Sequence, residues 1–221
     1  MDNDYAKYIL DKTKKDYNNI ALKYSQVRSK EWREMEFLFD RVDKNDKVLD
    51  LGCANGRFYP LFEKKEADYY GIDLSSNLIK IAKDKYPQAR FSVGTGLEIL
   101  FEDNFFDKIY SIAVLHHIPS EKLRKDFLKE INRVLKNKGL LILTVWNLKE
   151  KESKGIKNEK LDQNDIFLSW YGADDCYFHI FDLYELENLV KEVGLKIIEK
   201  GEIIVGQRPY INFYIICEKH E

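Results

Sequence analysis

The sequence is poor in cysteine and has no long hydrophobic run. Its 221 residues include three cysteines, at positions 53, 176 and 217, and their spacing fits no metal-binding motif. An odd number leaves at least one thiol unpaired, as is usual for proteins kept in a reducing compartment. The N-terminus, MDNDYAKYILDKTKKDY, is charged throughout, and no apolar run approaches the roughly 18 residues of a membrane span. We therefore predict a cytoplasmic protein without a metal site or a membrane contact.

The sequence also lacks an excess of basic residues. The formal net charge is −2 and the calculated pI is about 6.2, so no global positive field indicates nucleic-acid binding. A nucleic-acid ligand would have to be met by a local patch or with the help of a partner. The length suits one domain that is large enough for a sheet covered on both faces.

The most informative stretch is KVLDLGCANGRF at 47–58. Val48, Leu49 and Leu51 form a short apolar run that stops at Gly52, which predicts a buried parallel strand followed by a tight glycine turn. Glycine has no Cβ, so the backbone N–H groups of such a turn can approach a ligand closely. A second predicted strand, 69–72, ends at Asp73. A carboxylate in that position can accept hydrogen bonds from both hydroxyls of a ribose.

The spacing of the glycines separates two nucleotide-type ligands. A dinucleotide site needs G-x-G-x-x-G, whereas here only Gly52 and Gly56 are present and the third glycine of that pattern is absent. Asp50, immediately before the turn, disfavours a phosphate and suits an ammonium group. S-adenosylmethionine carries an ammonium, a ribose and an adenine but no phosphate, and it fits this pattern better.

Alternating strands and helices continue along the chain and predict an α/β fold. We expect a Rossmann-like, seven-stranded, mostly parallel sheet with helices on both faces and a C-terminal antiparallel hairpin. The whole chain, 1–221, is predicted to be a single domain, with an N-terminal helical cap at 1–40 and an insertion at 147–178. The predicted helices are at 4–24, within 24–39, and at 57–65, 76–86, 121–135 and 182–193. The predicted strands are at 48–51, 69–72, 90–93, 106–114, 140–146, 195–205 and 210–218.

The segments DLGCANG (50–56) and GIDLS (71–75) resemble motif I and its partner in the class I methyltransferases that use S-adenosylmethionine. The resemblance implies that Asp73 binds the ribose and that Asp50 helps to hold the methionine amino group, directly or through water. Many relatives have an acidic residue near Thr95 to accept from the adenine amino group, and a threonine is a weaker acceptor. Ala54 stands where a glycine is usual. The cofactor-binding residues expected are Asp50, Gly52, Ala54, Gly56, Asp73, Leu74, Thr95, Gly96 and Ile112.

A closer resemblance covers nearly the whole chain. RSKEW (28–32), SIAVLHHI (111–118), LTVW (143–146) and YFHIF (177–181) are similar to segments of the tRNA wobble-uridine carboxymethyl O-methyltransferases. This resemblance implies tRNA as the substrate and, because eukaryotic members work with one, a small zinc-binding activator protein as a partner. The catalytic residues expected are Arg28 and His116, and the substrate-binding residues expected are Lys30, Trp32, Arg33, His117 and Tyr177.

The chemistry of a carboxymethyl acceptor determines which catalytic groups the enzyme needs. A carboxylate is already ionised at neutral pH, with an unperturbed pKa of about 4, so it attacks a sulfonium methyl group without a general base. The protein must orient and partly desolvate it. Arg28 is the best candidate to hold one carboxylate oxygen and leave the other free to react.

Several alternatives remain open at this stage. Taken alone, Arg28 could equally be a solvated surface arginine. Trp32 could be a core residue, and the 147–165 segment could be a solvated loop. The histidines, His116 and His117, could act as a base for a hydroxyl or enol acceptor, contact the substrate, or pack beneath the cofactor loop. Other functions that fit are a small-molecule O- or C-methyltransferase of the same fold and a non-catalytic partner protein with this fold.

Overall fold

The computed structural model describes residues 1–29, 32–205 and 210–220, and its centre is a seven-stranded sheet. The strands of this sheet, in chain order, are β1 (Lys47–Leu51), β2 (Asp68–Asp73), β3 (Arg90–Val93), β4 (Phe106–Ile112), β5 (Leu135–Trp146), β8 (Leu195–Val205) and β9 (Tyr210–Lys219). The two strands between β5 and β8 in the chain, β6 (Asp165–Trp170) and β7 (Ala173–His179), form a separate two-stranded sheet.

The strand order of the large sheet is β3-β2-β1-β4-β5-β9-β8. The first five strands pair in parallel, whereas β9 pairs antiparallel with both β5 and β8. The predicted Rossmann-like α/β fold with a C-terminal antiparallel hairpin is therefore confirmed. In such a sheet, the carboxyl ends of neighbouring parallel strands meet at one edge and form the usual ligand crevice.

Five α-helices and three 3-10 helices are found in the described ranges. The α-helices are α1 (Asn3–Val27), α2 (Tyr59–Lys64), α3 (Ser76–Lys85), α4 (Glu121–Val134) and α5 (Leu183–Glu192), and the 3-10 helices are Arg33–Arg41, Leu115–His117 and Lys149–Lys154. The side chains of Ser75, Ser120 and Asp182 cap α3, α4 and α5, and each accepts a backbone N–H of the first helical turn. None of the described helices combines the length and the apolar character needed to cross a membrane.

Strand β5 has both faces buried over 141–145, as the apolar sequence there predicts. Leu141, Leu143 and Val145 pack into the core on one side of the sheet. Ile142, between them, packs into the core on the other side. Consecutive side chains of a strand point to opposite faces, so one apolar run supplies both cores.

The helix predicted within 24–39 is wrong in type. The first helix, α1, continues to Val27, where Arg28 departs from helical geometry, and the next element is the 3-10 helix Arg33–Arg41. Met35 and Leu38 are fully buried, while Phe37 is 42 % exposed. An apolar spacing of three residues matches the repeat of a 3-10 helix, in which side chains at i and i+3 eclipse.

The boundary between α4 and β5 also differs from the prediction. The sequence places the helix end between Leu135 and Gly139 and starts the strand at 140. In the structure the helix ends at Val134 and the strand begins at Leu135, with an irregularity in its pairing with β4. Leu135 is already extended, with φ −75° and ψ 135°, and is fully buried, so burial of this side chain ends the helix early.

The 147–178 insertion contains a β-hairpin that the sequence analysis did not predict. Its strands β6 and β7 are joined at Tyr171 and Gly172, which both have positive φ, 50° and 91°. Two such residues make the type of turn that suits a two-residue hairpin. The hairpin packs against α1 and a core of its own around Ile166 and Phe178, so this part of the insertion is ordered structure. The predicted single domain and its internal boundaries stay predictions.

Candidate active site

The cofactor turn follows β1 and is held by the carboxylate at the end of β2. Asp73 accepts the backbone N–H groups of Ala54 and Ser75, at 2.9 and 2.8 Å. Gly52 has φ 84°, and a Cβ there would lie 2.2 Å from the side chain of Val114. Ala54 adopts a left-handed conformation, φ 49°, which costs a non-glycine residue roughly 1 kcal/mol.

Above this turn lies the first of two adjoining cavities, which we call the cofactor cavity. Its floor consists of the glycine turn and the ends of β2 and β4, and α1 closes it from above through Leu10, Thr13 and Tyr17. Of the cofactor residues predicted from the sequence, five line this cavity: Gly52, Ala54, Asp73, Leu74 and Ile112.

The other four predicted cofactor residues lie outside the lining. Gly56 and Gly96 permit close packing, because a Cβ would come within 2.8 Å of Phe91 in one case and 2.1 Å of Phe127 in the other. Thr95 is exposed and its hydroxyl accepts the N–H of Leu97, and its contact with adenine stays a prediction.

Asp50 lies beneath the turn and does not line the cavity. It is 1 % exposed and accepts the hydroxyl of Tyr69 at 3.0 Å. Burial raises its pKa to about 7, although the Tyr69 hydrogen bond and the charge of Arg57 act in the opposite direction. Burial likewise raises the pKa of Asp73 to about 6, against the hydrogen bonds from backbone N–H groups. A direct contact between Asp50 and a methionine amino group therefore does not fit the structure.

The second cavity, which we call the acceptor cavity, has a volume of about 220 Å³. It lies between the end of β5, the β6–β7 hairpin and the start of β9. Trp146, Trp170 and Phe178 form aromatic walls, and Lys151 and Lys154 lie at its border. Arg28, Trp32 and Trp146 line both cavities, so a molecule bound in the second can reach one bound in the first.

Comparison with known proteins agrees with the glycine turn and the sheet. A family model described as a methyltransferase domain matches residues 49–143. A tRNA (carboxymethyluridine(34)-5-O)-methyltransferase of Schizosaccharomyces pombe is 28 % identical, over 92 % of this chain and 94 % of that protein. A protein of the same name from Arabidopsis thaliana is 31 % identical over 62 % of this chain, which matches only 33 % of its length.

Solved structures share the architecture. An S-adenosylmethionine-dependent methyltransferase of Methanosarcina mazei superposes with a TM-score of 0.75 at 22 % identity, covering 83 % of this chain and 97 % of that one. A protein described as a methyltransferase and solved with the Haloferax volcanii Trm112 methyltransferase activator gives a TM-score of 0.73 at 16 % identity, covering 95 % and 98 %. This protein is an S-adenosylmethionine-dependent methyltransferase. The predicted enzyme class and cofactor are thereby confirmed.

In this methyltransferase, Arg28 and Trp32 meet at the junction of the two cavities. The Arg28 guanidinium lies 4.8 Å from the centre of the Trp32 ring and within about 6 Å of Trp170 and Tyr171. The Asn55 side chain donates to the Arg28 carbonyl at 3.0 Å, which ties this loop to the cofactor turn. Arg28 is half-buried, so it is not a fully solvated surface arginine.

The remaining predicted substrate residues have different positions. Lys30 lies outside the described residues. Arg33 is exposed at the start of the 3-10 helix and lines neither cavity. Tyr177, expected to bind substrate, is buried, lines neither cavity, and donates its hydroxyl to Asp165 at 2.8 Å.

The two histidines of the methyltransferase differ in their surroundings. His116 is fully buried, packs against Trp146 and Phe178, and lines neither cavity. Its Nδ1 accepts the N–H of Trp146 at 3.3 Å. Burial lowers its pKa well below 6.5, and the neighbouring His117 lowers it further. A catalytic role for His116 does not fit this position.

His117 lines the cofactor cavity, with both ring nitrogens in hydrogen bonds. Nε2 is 2.8 Å from the Tyr17 hydroxyl and Nδ1 is 3.1 Å from the Tyr177 carbonyl. A carbonyl can only accept, so Nδ1 carries the proton and Nε2 accepts from Tyr17. Burial lowers the pKa of His117 to about 4. The arrangement makes His117 a neutral packing residue beside the cofactor rather than a base.

Sequence analysis missed several residues of the site. Trp146 and Trp170 were present in predicted apolar segments, but nothing in the local sequence shows that they face each other at 4.8 Å. Arg57 was taken as the first residue of a helix, whereas that helix begins at Tyr59 and Arg57 lines the cofactor cavity. Its position directly after the second glycine of the turn was the available signal.

Proposed function

We propose that this methyltransferase esterifies the carboxymethyl group of wobble uridine in tRNA. The observation that carries the proposal is Arg28, which borders both cavities and presents a guanidinium where an acceptor carboxylate would meet the cofactor methyl group. A guanidinium can bind a carboxylate through one or both oxygens.

The acceptor cavity has the chemistry of a site for a planar anion. Its aromatic walls, Trp146, Trp170 and Phe178, offer stacking surfaces for a base. The charged residues that line it in the described part of the chain are Arg28, Lys151 and Lys154, and no carboxylate lies among its lining residues there. This combination favours a nucleobase with a negatively charged substituent over a neutral or cationic acceptor.

The mechanism needs orientation and desolvation, with no proton transfer. When bound, the cofactor supplies an electrophilic methyl group, and the carboxylate is already ionised. Arg28 holds one acceptor oxygen, and the surrounding tryptophans exclude water from the other. His116 and His117 stay neutral above pH 6 because burial lowers their pKa values.

The relatives support the same substrate. Two of the proteins named above carry the name tRNA (carboxymethyluridine(34)-5-O)-methyltransferase, and the fission yeast protein matches this chain over nearly its full length. The segments RSKEW, SIAVLHHI, LTVW and YFHIF all contribute residues to the junction of the cavities or to its packing. Because these segments lie close together in the fold, we infer that they form one site.

A partner protein is part of the proposal. The Haloferax volcanii neighbour was solved with the Trm112 activator, and a small zinc-binding protein of that kind is the partner that we propose here. The edge strand β3 pairs only with β2 in the described chain, and Val93 at its end is exposed. An open edge strand can accept a strand from a partner. The three buried free cysteines suit a reducing, cytoplasmic location.

The test compares two tRNAs that differ only in the carboxymethyl group. The enzyme, with and without a zinc-binding partner, is given labelled S-adenosylmethionine and tRNA that carries or lacks carboxymethyluridine. We expect base-labile methyl incorporation only into the first, and its loss in Arg28→Ala with retention in the exposed control Arg41→Ala. Equal labelling of the two tRNAs would contradict the proposal.

A second candidate is a small-molecule carboxyl methyltransferase. The acceptor cavity, at about 220 Å³, could hold a free planar acid without any RNA. Labelling of a small-molecule extract when neither tRNA is labelled would favour this candidate.

A further inference from the structure

Arg57 is a buried cation whose charge has no evident use in the fold. It is 5 % exposed, lines the cofactor cavity, and has no hydrogen-bond partner for Nη1 in the described residues. Burial lowers its pKa. A buried charge is costly unless it is paired. The charge of Asp50 favours the charged form of Arg57, but no carboxylate of the described residues hydrogen-bonds to its Nη1.

The surroundings of Arg57 hold its guanidinium in place without neutralising it. The group lies 4.0 Å from the centre of the Trp32 ring and 4.6 Å from that of Phe58. Contacts with aromatic faces stabilise a cation and fix its plane while leaving its N–H groups available. The side chain is therefore positioned to bind an anion inside the cavity.

Arg28 and Arg57 share the Trp32 ring but border different spaces. Arg28 borders both cavities, whereas Arg57 borders only the cofactor cavity. Two guanidinium groups so close together repel each other unless each meets an anion. Because Arg28 borders both cavities and Arg57 only the cofactor cavity, we expect the two arginines to bind two different anions, one from the acceptor and one from the cofactor.

We propose that Arg57 is the receptor for the methionine carboxylate of S-adenosylmethionine. The cofactor carries one carboxylate, and Arg28 and Arg57 are the cationic side chains that line its cavity in the described residues, since His117 is neutral. Asp73 is engaged with the turn and the ribose position, at the end of β2. This assignment concerns the cofactor alone and holds for any methyl acceptor.

The test uses two ligands that differ only in that carboxylate. S-adenosylmethionine and its decarboxylated analogue are titrated by calorimetry into the wild-type protein and into Arg57→Met, Arg28→Met and the surface control Arg41→Met. Loss of a charge-assisted hydrogen bond should weaken S-adenosylmethionine binding about 10- to 100-fold in Arg57→Met. The decarboxylated analogue should bind Arg57→Met and the wild type within about threefold, and both controls should keep the wild-type preference.

Two results would overturn the assignment. One is an equal loss of affinity for both ligands in Arg57→Met, provided that circular dichroism shows an unchanged fold. The other is a loss of discrimination in Arg28→Met instead. Arg57→Lys, which keeps the charge but not the fork of the guanidinium, should recover part of the preference for the carboxylate. An equal loss of affinity for both ligands in Arg57→Met leaves the proposed tRNA substrate untouched, because no acceptor is present. A loss of discrimination in Arg28→Met would instead assign Arg28 to the cofactor and remove it as the ligand of the acceptor carboxylate. Failure of the tRNA assay leaves the Arg57 assignment untouched.

Discussion

At the scale of single residues, the Asp73 carboxylate both holds the cofactor turn and lines the cofactor cavity. Its oxygens accept N–H groups from Ala54 and Ser75 and so fix the cofactor turn relative to the next helix. The same carboxylate lines the cofactor cavity. An ionised acceptor at the end of a second strand is the group that binds ribose hydroxyls in related folds.

We predict that Asp73→Ala weakens S-adenosylmethionine binding by roughly 1.5–3 kcal/mol, because charge-assisted hydrogen bonds to the ribose are lost. Calorimetric titration measures this directly. Asp84→Ala, an exposed carboxylate on α3, serves as the matched control and should bind normally. Unchanged affinity in a folded Asp73→Ala protein would show that the ribose lies elsewhere.

The histidines permit a second residue-scale prediction, on the pH dependence of the chemical step. Burial lowers the pKa of His117 to about 4 and that of His116 well below 6.5. The pKa of an acceptor carboxylate is also far below neutrality. At saturating cofactor, the single-turnover rate should therefore vary less than about threefold between pH 6 and 9. A tenfold rise per pH unit that disappears in His117→Gln would indicate a hydroxyl or enol acceptor.

At the scale of secondary-structure elements, a buried polar cluster fastens the β6–β7 hairpin to α5. His179 on β7 contacts Asp165 on β6 at 2.6 Å and Glu185 on α5 at 2.8 Å. Asp165 also accepts the Tyr177 hydroxyl, and Arg124 lies 3.8 Å from Glu185. Because Phe178 and the Tyr177 carbonyl lie on the same strand, this cluster indirectly positions the wall of the acceptor cavity and the ring of His117.

The cluster predicts a stability difference that depends on pH. Burial by itself lowers the pKa of His179, but the hydrogen bonds to Asp165 and Glu185 outweigh it and raise the pKa above 6.5. The stabilisation is therefore complete below about pH 6.5 and is lost as pH rises through the folded-state pKa. We expect His179→Gln to cost roughly 3 kcal/mol near pH 5.5 and less near pH 9.

Denaturant unfolding at several pH values measures this difference. The exposed His220→Gln is the control and should follow the wild type throughout. A cost for His179→Gln that is constant or grows with pH would mean that the imidazole is neutral in the folded protein.

At the scale of the whole molecule, the net charge of −2 contrasts with the cationic border of the acceptor cavity. Lys151 and Lys154 lie on one 3-10 helix, and Arg28 lies across the cavity from them. Local charge of this kind can meet phosphates even when the protein as a whole repels a polyanion. Binding to tRNA should therefore be weak and sensitive to salt without the partner protein.

We predict that the dissociation constant for tRNA rises about 7- to 12-fold between 50 and 200 mM salt, as two phosphate contacts, by Lys151 and Lys154, would give. Lys154→Ala should reduce the salt slope by about one contact, whereas Lys196→Ala, exposed on β8, should not. Fluorescence anisotropy with labelled tRNA measures both. A binding constant that is independent of salt would contradict an electrostatic contact with the RNA backbone.

The sequence by itself determined the parallel core and the cofactor turn. A near-continuous apolar run such as 140–146 indicates a strand that is buried on both faces, as in a covered parallel sheet. The residues Gly52 and Asp73 lie at consecutive strand ends, so strand pairing alone brings them together. Capping by Ser75, Ser120 and Asp182 was equally local, because a cap interacts with the backbone two or three residues away.

Only the tertiary structure decided which side chains face the two cavities. Arg28 and Arg57 both contact the Trp32 ring, and the Asn55 side chain of the cofactor turn donates to the Arg28 carbonyl; the sequence between the two arginines gives no sign of this. Thr95 and Tyr177 were expected in the site, but neither lines the two cavities, and the Tyr177 hydroxyl donates to Asp165. Side-chain direction depends on packing between elements far apart in the chain, and such contacts leave no periodic or local signal in the sequence.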